Sequence, residues 1–126
     1  MTRVLVADDD HDLRVALRVA LELEGFEVEA VSDGERAMQA HEKRPADVLI
    51  TDLFMPERDG FETLQYFRSR SPGMRIVVIS GWKRAQRADH LAVALQAGAD
   101  VVLRKPFTPR ELLDKLHNCV PAKARS

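Results

Sequence analysis

The stretch VLVADDDHD, residues 4–12, decides how the rest of the chain is interpreted. Four apolar residues, typical of a buried strand, run directly into the consecutive aspartates Asp8, Asp9 and Asp10. Adjacent carboxylates repel one another, and burying one is costly unless a cation or hydrogen-bond donors compensate. We therefore expect a neutralising group at the end of this strand.

The composition is that of one ordinary soluble domain, since the 126 residues are 45% apolar and 31% charged. Lys and Arg total 19 and Asp and Glu total 20, a balance that argues against general affinity for nucleic acids or membranes. The single cysteine, Cys119, allows no internal disulfide and fits a reducing, cytoplasmic setting. No signal peptide or membrane span is predicted. We expect residues 1–120 to form the domain and 121–126 a short C-terminal tail.

Strand-like and helix-like segments alternate along the chain. The predicted strands are residues 3–7, 26–31, 47–53, 75–80 and 101–104. Five helices are predicted. The first lies around residues 13–21, the second runs from a cap at Ser32 or Asp33 to about Lys43, and the third covers residues 61–70. The fourth ends at Ala97, and the fifth runs from a capping box at residues 108–111 to about Val120. This alternation predicts an α/β fold, a doubly wound five-stranded parallel sheet of order 2-1-3-4-5 with five helices on its two faces.

Chemically useful side chains follow four of the five predicted strands. Strand one ends at Asp8 and Asp9, strand three at Asp52, strand four at Ser80 and strand five at Lys105. Because sites in such sheets form beyond the carboxyl ends of the strands, these side chains are expected to converge. Carboxylate oxygens at that density suit Mg²⁺, while an ammonium and a hydroxyl suit an anion beside it. The set therefore predicts phosphoryl transfer, with an aspartate as a possible nucleophile.

Four stretches together resemble the response-regulator receiver domain of two-component signalling. They are VLVADDD, ITDLFMPERDG, VVISG and LRKPF, in order and near the spacing of that family over nearly the whole chain. The resemblance implies a flavodoxin-like fold in which Asp52 accepts a phosphoryl group from a histidine kinase or phosphotransfer protein. It also implies that Asp9 binds Mg²⁺ directly and that Asp8 binds it through water or assists.

The same resemblance assigns roles to residues around the phosphoacceptor. The backbone carbonyl of Phe54 is implied as a further metal ligand, Ser80 as a hydrogen-bonding partner of the phosphoryl group, and Lys105 as the cation that neutralises it. The Lys105–Pro106 peptide bond is expected to be cis. Phosphorylation is then expected to switch binding to a downstream protein that the sequence does not identify. Any catalytic activity is expected to be limited to phosphorylation of the domain itself and slow removal of its own phosphoryl group.

Three departures from the family pattern bear on these expectations. Val102 stands three residues before Lys105, where receivers often have an aromatic residue that moves on phosphorylation. The stretch from Ser80 to Gly98 is a few residues longer than usual, and no output module is expected after the last helix. Phe54 and Trp82 flank the expected phosphoryl group with large apolar side chains, so we expect a long-lived acyl phosphate.

Two other function classes remain open. A haloacid-dehalogenase-type phosphatase also uses an aspartate nucleophile and Mg²⁺, but its signature, begun at Asp8, would need Thr or Val at position 12, where Asp12 stands. A pseudo-receiver would bind partners without phosphorylation, but such proteins usually lack part of the acid set or the lysine, which this chain keeps.

The remaining ionisable residues are given structural roles. Asp10 and Asp12 are expected to cap the first helix and to interact favourably with its dipole. The four histidines have no metal-ligand spacing and are all expected on the solvated surface; they are His11, His41, His90 and His117.

Overall fold

Five parallel strands form a single sheet in a computed structural model that describes residues 2–52, 60–80, 95 and 98–119. The strands are β1 (Arg3–Ala7), β2 (Glu27–Val31), β3 (Val48–Asp52), β4 (Arg75–Ser80) and β5 (Val101–Arg104). Their order in the sheet is β2-β1-β3-β4-β5, and every neighbouring pair is parallel. The predicted strand order is confirmed, and each strand lies within two residues of its predicted bounds.

Four helices are described, against five predicted. They are α1 (His11–Leu23), α2 (Gly34–Lys43), α3 (Gly60–Arg70) and α4 (Pro109–Cys119). The other predicted helix, which ends at Ala97, lies almost wholly outside the described residues. Within the described part of the chain, no helix is both long and apolar enough to span a bilayer.

Helices cover both faces of the sheet because its strands are apolar on both sides. Alternate residues of β1 point to opposite faces, so Val4 and Val6 join one buried cluster while Leu5 and Ala7 join another. The first cluster includes Leu17 and Leu21 of α1 together with leucines of α4. The second includes side chains of α2 and α3, with Phe67 the largest fully buried one. A parallel sheet buried on both faces is the expected result of such uninterrupted apolar strands.

The helix starts are fixed by the caps that the sequence predicts. The Asp10 carboxylate accepts a hydrogen bond from the Leu13 amide at 3.2 Å, which makes Asp10 the N-cap of α1. The Asp33 carboxylate does the same for α2, accepting from the Arg36 amide at 2.8 Å. At α4, the Thr108 amide donates to Glu111 Oε1 at 2.8 Å and the Glu111 amide donates to Thr108 Oγ1 at 3.1 Å, a complete capping box.

The prediction that every histidine lies on the surface is wrong for His41. Its side chain is buried, with the ring packed edge-on against Phe67 at 5.2 Å between centroids. Nδ1 accepts a hydrogen bond from the Ala46 amide at 3.0 Å, and Nε2 lies 2.9 Å from Ser71 Oγ. The ring lies inside because it satisfies backbone and hydroxyl groups where α2 turns into β3, a role that helical periodicity alone does not reveal. His11 is exposed, His117 is half-buried, and His90 lies outside the described residues.

Candidate functional site

Two carboxylates meet where β1 and β3 end side by side. Ala7 is in register with Thr51, so Asp8 and Asp52 follow at neighbouring positions on the same edge of the sheet. Both of these side chains are buried, while Asp9, one residue further along, is exposed. Carboxylate oxygens of Asp8, Asp9 and Asp52 all lie within 4.8 Å of one another. The convergence predicted from the strand ends is therefore present for these three acids.

Lys105 brings a positive charge to the same place from the end of β5. Its Nζ donates a hydrogen bond to Asp52 Oδ2 at 3.0 Å and forms an ion pair with Asp8 Oδ2 at 3.0 Å. The Lys105–Pro106 peptide bond is cis, as expected from the sequence. One ammonium thus contacts two buried carboxylates.

Burial and neighbouring charges shift the pKa values of two groups in the site, Asp8 and Lys105. Burial raises the pKa of Asp8 from 3.8 to about 6; the Asp52 charge adds to this, while the Asp10 amide and Lys105 oppose it. Burial disfavours the charged form of Lys105, but the hydrogen bond to Asp52 and the negative charges of Asp52 and then Asp8 raise its pKa above the ordinary value. Negative charge is thus in excess, and a cation would stabilise the site.

The acids have the chemistry and one unsatisfied atom that a divalent cation requires. Asp8 Oδ1 accepts a hydrogen bond from the Asp10 amide at 2.9 Å. Asp8 Oδ2 is buried and accepts no hydrogen bond from any described residue, because its contact with Lys105 lacks hydrogen-bond geometry. An all-oxygen donor set with such an atom fits Mg²⁺, which binds few carboxylates and keeps several waters.

The other predicted site residues divide between described and undescribed parts of the chain. Ser80 is the last residue of β4, and its backbone is in register with Arg104, but its side chain is not described. Phe54 and Trp82 lie wholly outside the described residues. Val102 is half-buried in β5 and packs against the core cluster that includes side chains of α2 and α3.

Arg14 also lies beside the site, and the sequence patterns do not predict this position. Its guanidinium Nη1 donates a hydrogen bond to the backbone carbonyl of Asp8 at 2.8 Å. The Asp8 amide in turn donates to the Val31 carbonyl at 3.1 Å, so the backbone of Asp8 is held on both sides. An arginine in the second turn of a helix is usually a solvated charge, and no sequence signal distinguishes it from one.

The fold and the acid site define a class of protein that comparison with known sequences identifies. Residues 4–117 match the response regulator receiver domain family. The chain therefore belongs to the response regulator receiver domain family of two-component signalling.

Individual relatives agree with this assignment. The response regulator MprA of Mycobacterium leprae is 36% identical over 114 residues, which are 90% of this chain and 49% of that protein. The transcriptional regulatory protein GltR of Pseudomonas aeruginosa is 35% identical over 113 residues, 90% of this chain and 46% of that protein. The chain thus spans about half the length of these curated relatives.

Solved structures give the same answer at the level of the fold. A receiver domain protein from Clostridium thermocellum superposes with a TM-score of 0.84 at 28% identity, covering 94% of this chain and 93% of that one. The chemotaxis response regulator CheY4 of Vibrio cholerae superposes with a TM-score of 0.82 at 30% identity, covering 95% of this chain and 99% of that one.

Proposed function

We propose that this receiver domain accepts a phosphoryl group on Asp52 and that the modification switches its binding to another protein. The observation that carries the proposal is the 3.0 Å hydrogen bond from Lys105 to Asp52, at a point where the Asp8 and Asp9 carboxylates also converge. The donor is a histidine kinase or a histidine phosphotransfer protein, partners that act on this family in the cytoplasm.

In the transfer step, an Asp52 carboxylate oxygen attacks the phosphorus of the donor's phosphohistidine. The new bond is an acyl phosphate P–O bond, and the P–N bond to the donor breaks with its electron pair remaining on the imidazole nitrogen. Lys105 then pairs with a phosphoryl oxygen and neutralises its charge, because its Nζ already lies 3.0 Å from Asp52 Oδ2. Ser80, at the end of the neighbouring strand, donates a hydrogen bond to another phosphoryl oxygen.

Asp8 and Asp9, with Asp52, would hold Mg²⁺, and the backbone carbonyl of Phe54 would complete the protein ligands. When bound, the metal supplies positive charge that offsets repulsion between the carboxylate and the incoming phosphoryl group. Asp8 is fixed for this task by its hydrogen bonds to the Asp10 and Val31 backbone and by Arg14. The large side chains of Phe54 and Trp82 are proposed to slow hydrolysis of the acyl phosphate.

The first prediction concerns the phosphoacceptor. Incubation with Mg²⁺ and acetyl phosphate should add the mass of one phosphoryl group to the intact protein, and Asp52→Asn should abolish this addition because the amide is not a nucleophile. Asp12→Asn is the matched control: it removes an exposed carboxylate in the first turn of α1 and should leave labelling unchanged.

The same experiment separates the alternatives. A phosphatase would turn over many acetyl phosphate molecules per chain, and a pseudo-receiver would neither gain mass nor turn over. Complete labelling of Asp52→Asn at a residue other than Ser80 would contradict the proposed phosphoacceptor.

A further inference from the structure

Strand β2 lies at one edge of the sheet, and the outer side of its backbone has no neighbouring strand among the described residues. The Glu27 amide donates a hydrogen bond to the Thr2 carbonyl at 3.0 Å, so the backbone of Glu27 faces β1. Because successive strand residues point their backbone groups to opposite sides, Val28 and Ala30 face away from β1. The Val28 carbonyl accepts a 3.4 Å hydrogen bond from Arg18. The Val28 amide and both backbone groups of Ala30 have no hydrogen-bond partner within the described part of the chain. They form an edge that another strand can pair with.

Helix α2, which packs beside this edge, carries its acidic and basic side chains on different flanks. Glu35 and Glu42 lie on the flank towards α3, where the charges of both reach the Tyr66 hydroxyl and that hydroxyl donates to Glu42 at 3.4 Å. Arg36 and Lys43 have the same seven-residue spacing but lie on the flank beside β2. The positive charge of α2 is therefore directed towards the edge of the sheet.

A groove of about 190 Å³ lies between the basic flank of α2 and β2. It is lined by Arg36, Gln39, Ala40 and Lys43 of α2 and by Glu29 and Val31 of β2. Val31 and Ala40 supply the apolar part of its surface. The two cations lie two helical turns apart, which is about 10 Å along the helix axis. The groove thus offers an apolar surface with a positive charge at each end.

The acid and the cations of the groove are compensated to different extents. Glu29 is paired with Arg3, whose side chain is only 9% exposed, so the charge of Glu29 is balanced from inside the protein. Lys43 is exposed and forms no ion pair with any residue that the structure describes. Arg36 is also exposed, and its contact with Asp33 is 3.5 Å long. Lys43 and Arg36 are therefore the charges of the groove that carboxylates of another molecule can reach.

We propose that the outer edge of β2 and this groove together bind an extended acidic segment of a partner protein, which joins the sheet as an additional strand. Backbone hydrogen bonds to Val28 and Ala30 hold the segment in place, and alternate side chains of the segment face α2. Residues four apart on a strand are about 13 Å apart, a distance that the flexible side chains of Arg36 and Lys43 can match. The pattern that fits is acid-x-apolar-x-acid. The proposal goes beyond the proposed function and requires no phosphoryl group on Asp52.

Nuclear magnetic resonance of the ¹⁵N-labelled full chain tests the proposal. The probe is the acetylated and amidated peptide Thr-Asp-Thr-Val-Thr-Asp-Thr, added to millimolar concentration without Mg²⁺ or a phosphoryl donor. The amide resonances of Val28 and Ala30 should shift, and hydrogen exchange at both amides should slow at saturating peptide, because they become donors to the added strand. Since the chain is unphosphorylated throughout, failure of this experiment would not bear on the role of Asp52.

Charge variants test the groove. Lys43→Glu should weaken binding of the acidic peptide about fivefold, because an attractive pair becomes repulsive. Lys115→Glu is the matched control, since it makes the same charge change on the exposed face of α4 and should leave binding unchanged. The peptide with Asn in place of Asp should bind the original chain and Lys43→Glu equally. The resonance spectrum of each variant establishes that it is folded.

Three outcomes would overturn the proposal. They are an acidic peptide that does not bind, binding that Lys43→Glu and Lys115→Glu weaken equally, and binding without slower exchange at Val28 and Ala30. The first would exclude the site, the second would reduce the effect to the net charge of the protein, and the third would exclude pairing with β2.

Discussion

Asp8 is the residue at which folding and the proposed function conflict most directly. Its carboxylate is fully buried, one oxygen is without a hydrogen bond from the described residues, and its pKa is raised to about 6 by burial. At neutral pH the side chain is ionised, so the folded state bears the cost of a partly compensated buried charge. A cation bound at the proposed metal site would offset this cost.

Asp8→Asn should therefore stabilise the protein when Mg²⁺ is absent. The amide keeps an acceptor for the Asp10 amide and removes the buried charge, so the free energy of unfolding should rise by about 2 kcal/mol at pH 7.5. The measurement is urea unfolding in the presence of a chelator. A lower free energy of unfolding for the variant would contradict the interpretation of Asp8 as an energetic cost.

Asp9→Asn is the matched control, since Asp9 is an exposed member of the same carboxylate cluster. Its removal should change the free energy of unfolding without Mg²⁺ by less than about 0.5 kcal/mol. Added Mg²⁺ should stabilise the original chain through binding to the folded state, and both variants should lose most of that stabilisation. Equal stabilisation of all three proteins would exclude a metal site at these acids.

At the scale of elements, α3 holds the start of β5 through a single guanidinium. Arg68 donates to the Pro72 and Met74 carbonyls at 2.9 Å each, and to the Gly98 carbonyl and the Asp100 carboxylate, 3.0 Å and 2.9 Å away. Asp100 Oδ2 also accepts from the Ile76 amide at 2.8 Å, which ties β4 to the same cluster. This arrangement sets where β5 begins, four residues before Lys105.

Substitutions at three glycines separate the cost of a positive φ from the cost of a steric contact with Arg68. Gly98 has a positive φ of +126°, and a Cβ there would lie 3.0 Å from Arg68 Nε. Gly25 also has a positive φ, +92°, but no atom lies within 4 Å of the place of its Cβ. Gly73 has neither a positive φ nor a close neighbour. Gly73→Ala should be nearly neutral, Gly25→Ala should cost about 1 kcal/mol, and Gly98→Ala should cost more than Gly25→Ala. Thermal or urea unfolding of the three variants measures this order. Equal costs at positions 25 and 98 would show that the contact with Arg68 adds nothing.

At the scale of the whole molecule, sequence patterns predict what depends on periodicity and on strand ends. The alternation of apolar strands with helices predicts the sheet and its order. The acids that follow β1 and β3 predict the convergence of Asp8, Asp9 and Asp52. Contacts between distant elements leave no periodic signal. Arg14, Arg68 and His41 each look like ordinary polar helix residues, yet each binds backbone groups of another segment. Their roles follow from tertiary structure alone.

His41 joins three segments at the amino ends of the strands, at the opposite end of the sheet from the acid site. It connects the end of α2 to Ala46, before β3, and to Ser71, after α3. Because Nδ1 accepts the Ala46 amide, the proton of the neutral ring lies on Nε2 and is donated to Ser71 Oγ. A second proton on the ring would place two donors against each other at Nδ1. Burial and the nearby Arg3 charge lower the pKa of His41 below its ordinary value of 6.5.

The contribution of His41 to stability should consequently be lost as the pH decreases below about 6.5, because the unfolded chain takes up a proton at His41 before the folded chain does. Asp8, whose pKa is raised to about 6, acts in the opposite direction over the same range. His41→Asn should reduce the free energy of unfolding by about 1–3 kcal/mol at pH 7.5 through loss of these hydrogen bonds and of ring packing. It should also shift the pH dependence, so that lowering the pH from 7.5 to 5.5 destabilises the variant less, or stabilises it more, than the original chain. His11→Asn, which changes an exposed histidine, should keep the original pH dependence. Urea unfolding at the two pH values measures both effects, and an unchanged pH dependence in His41→Asn would show that His41 does not couple folding to protonation.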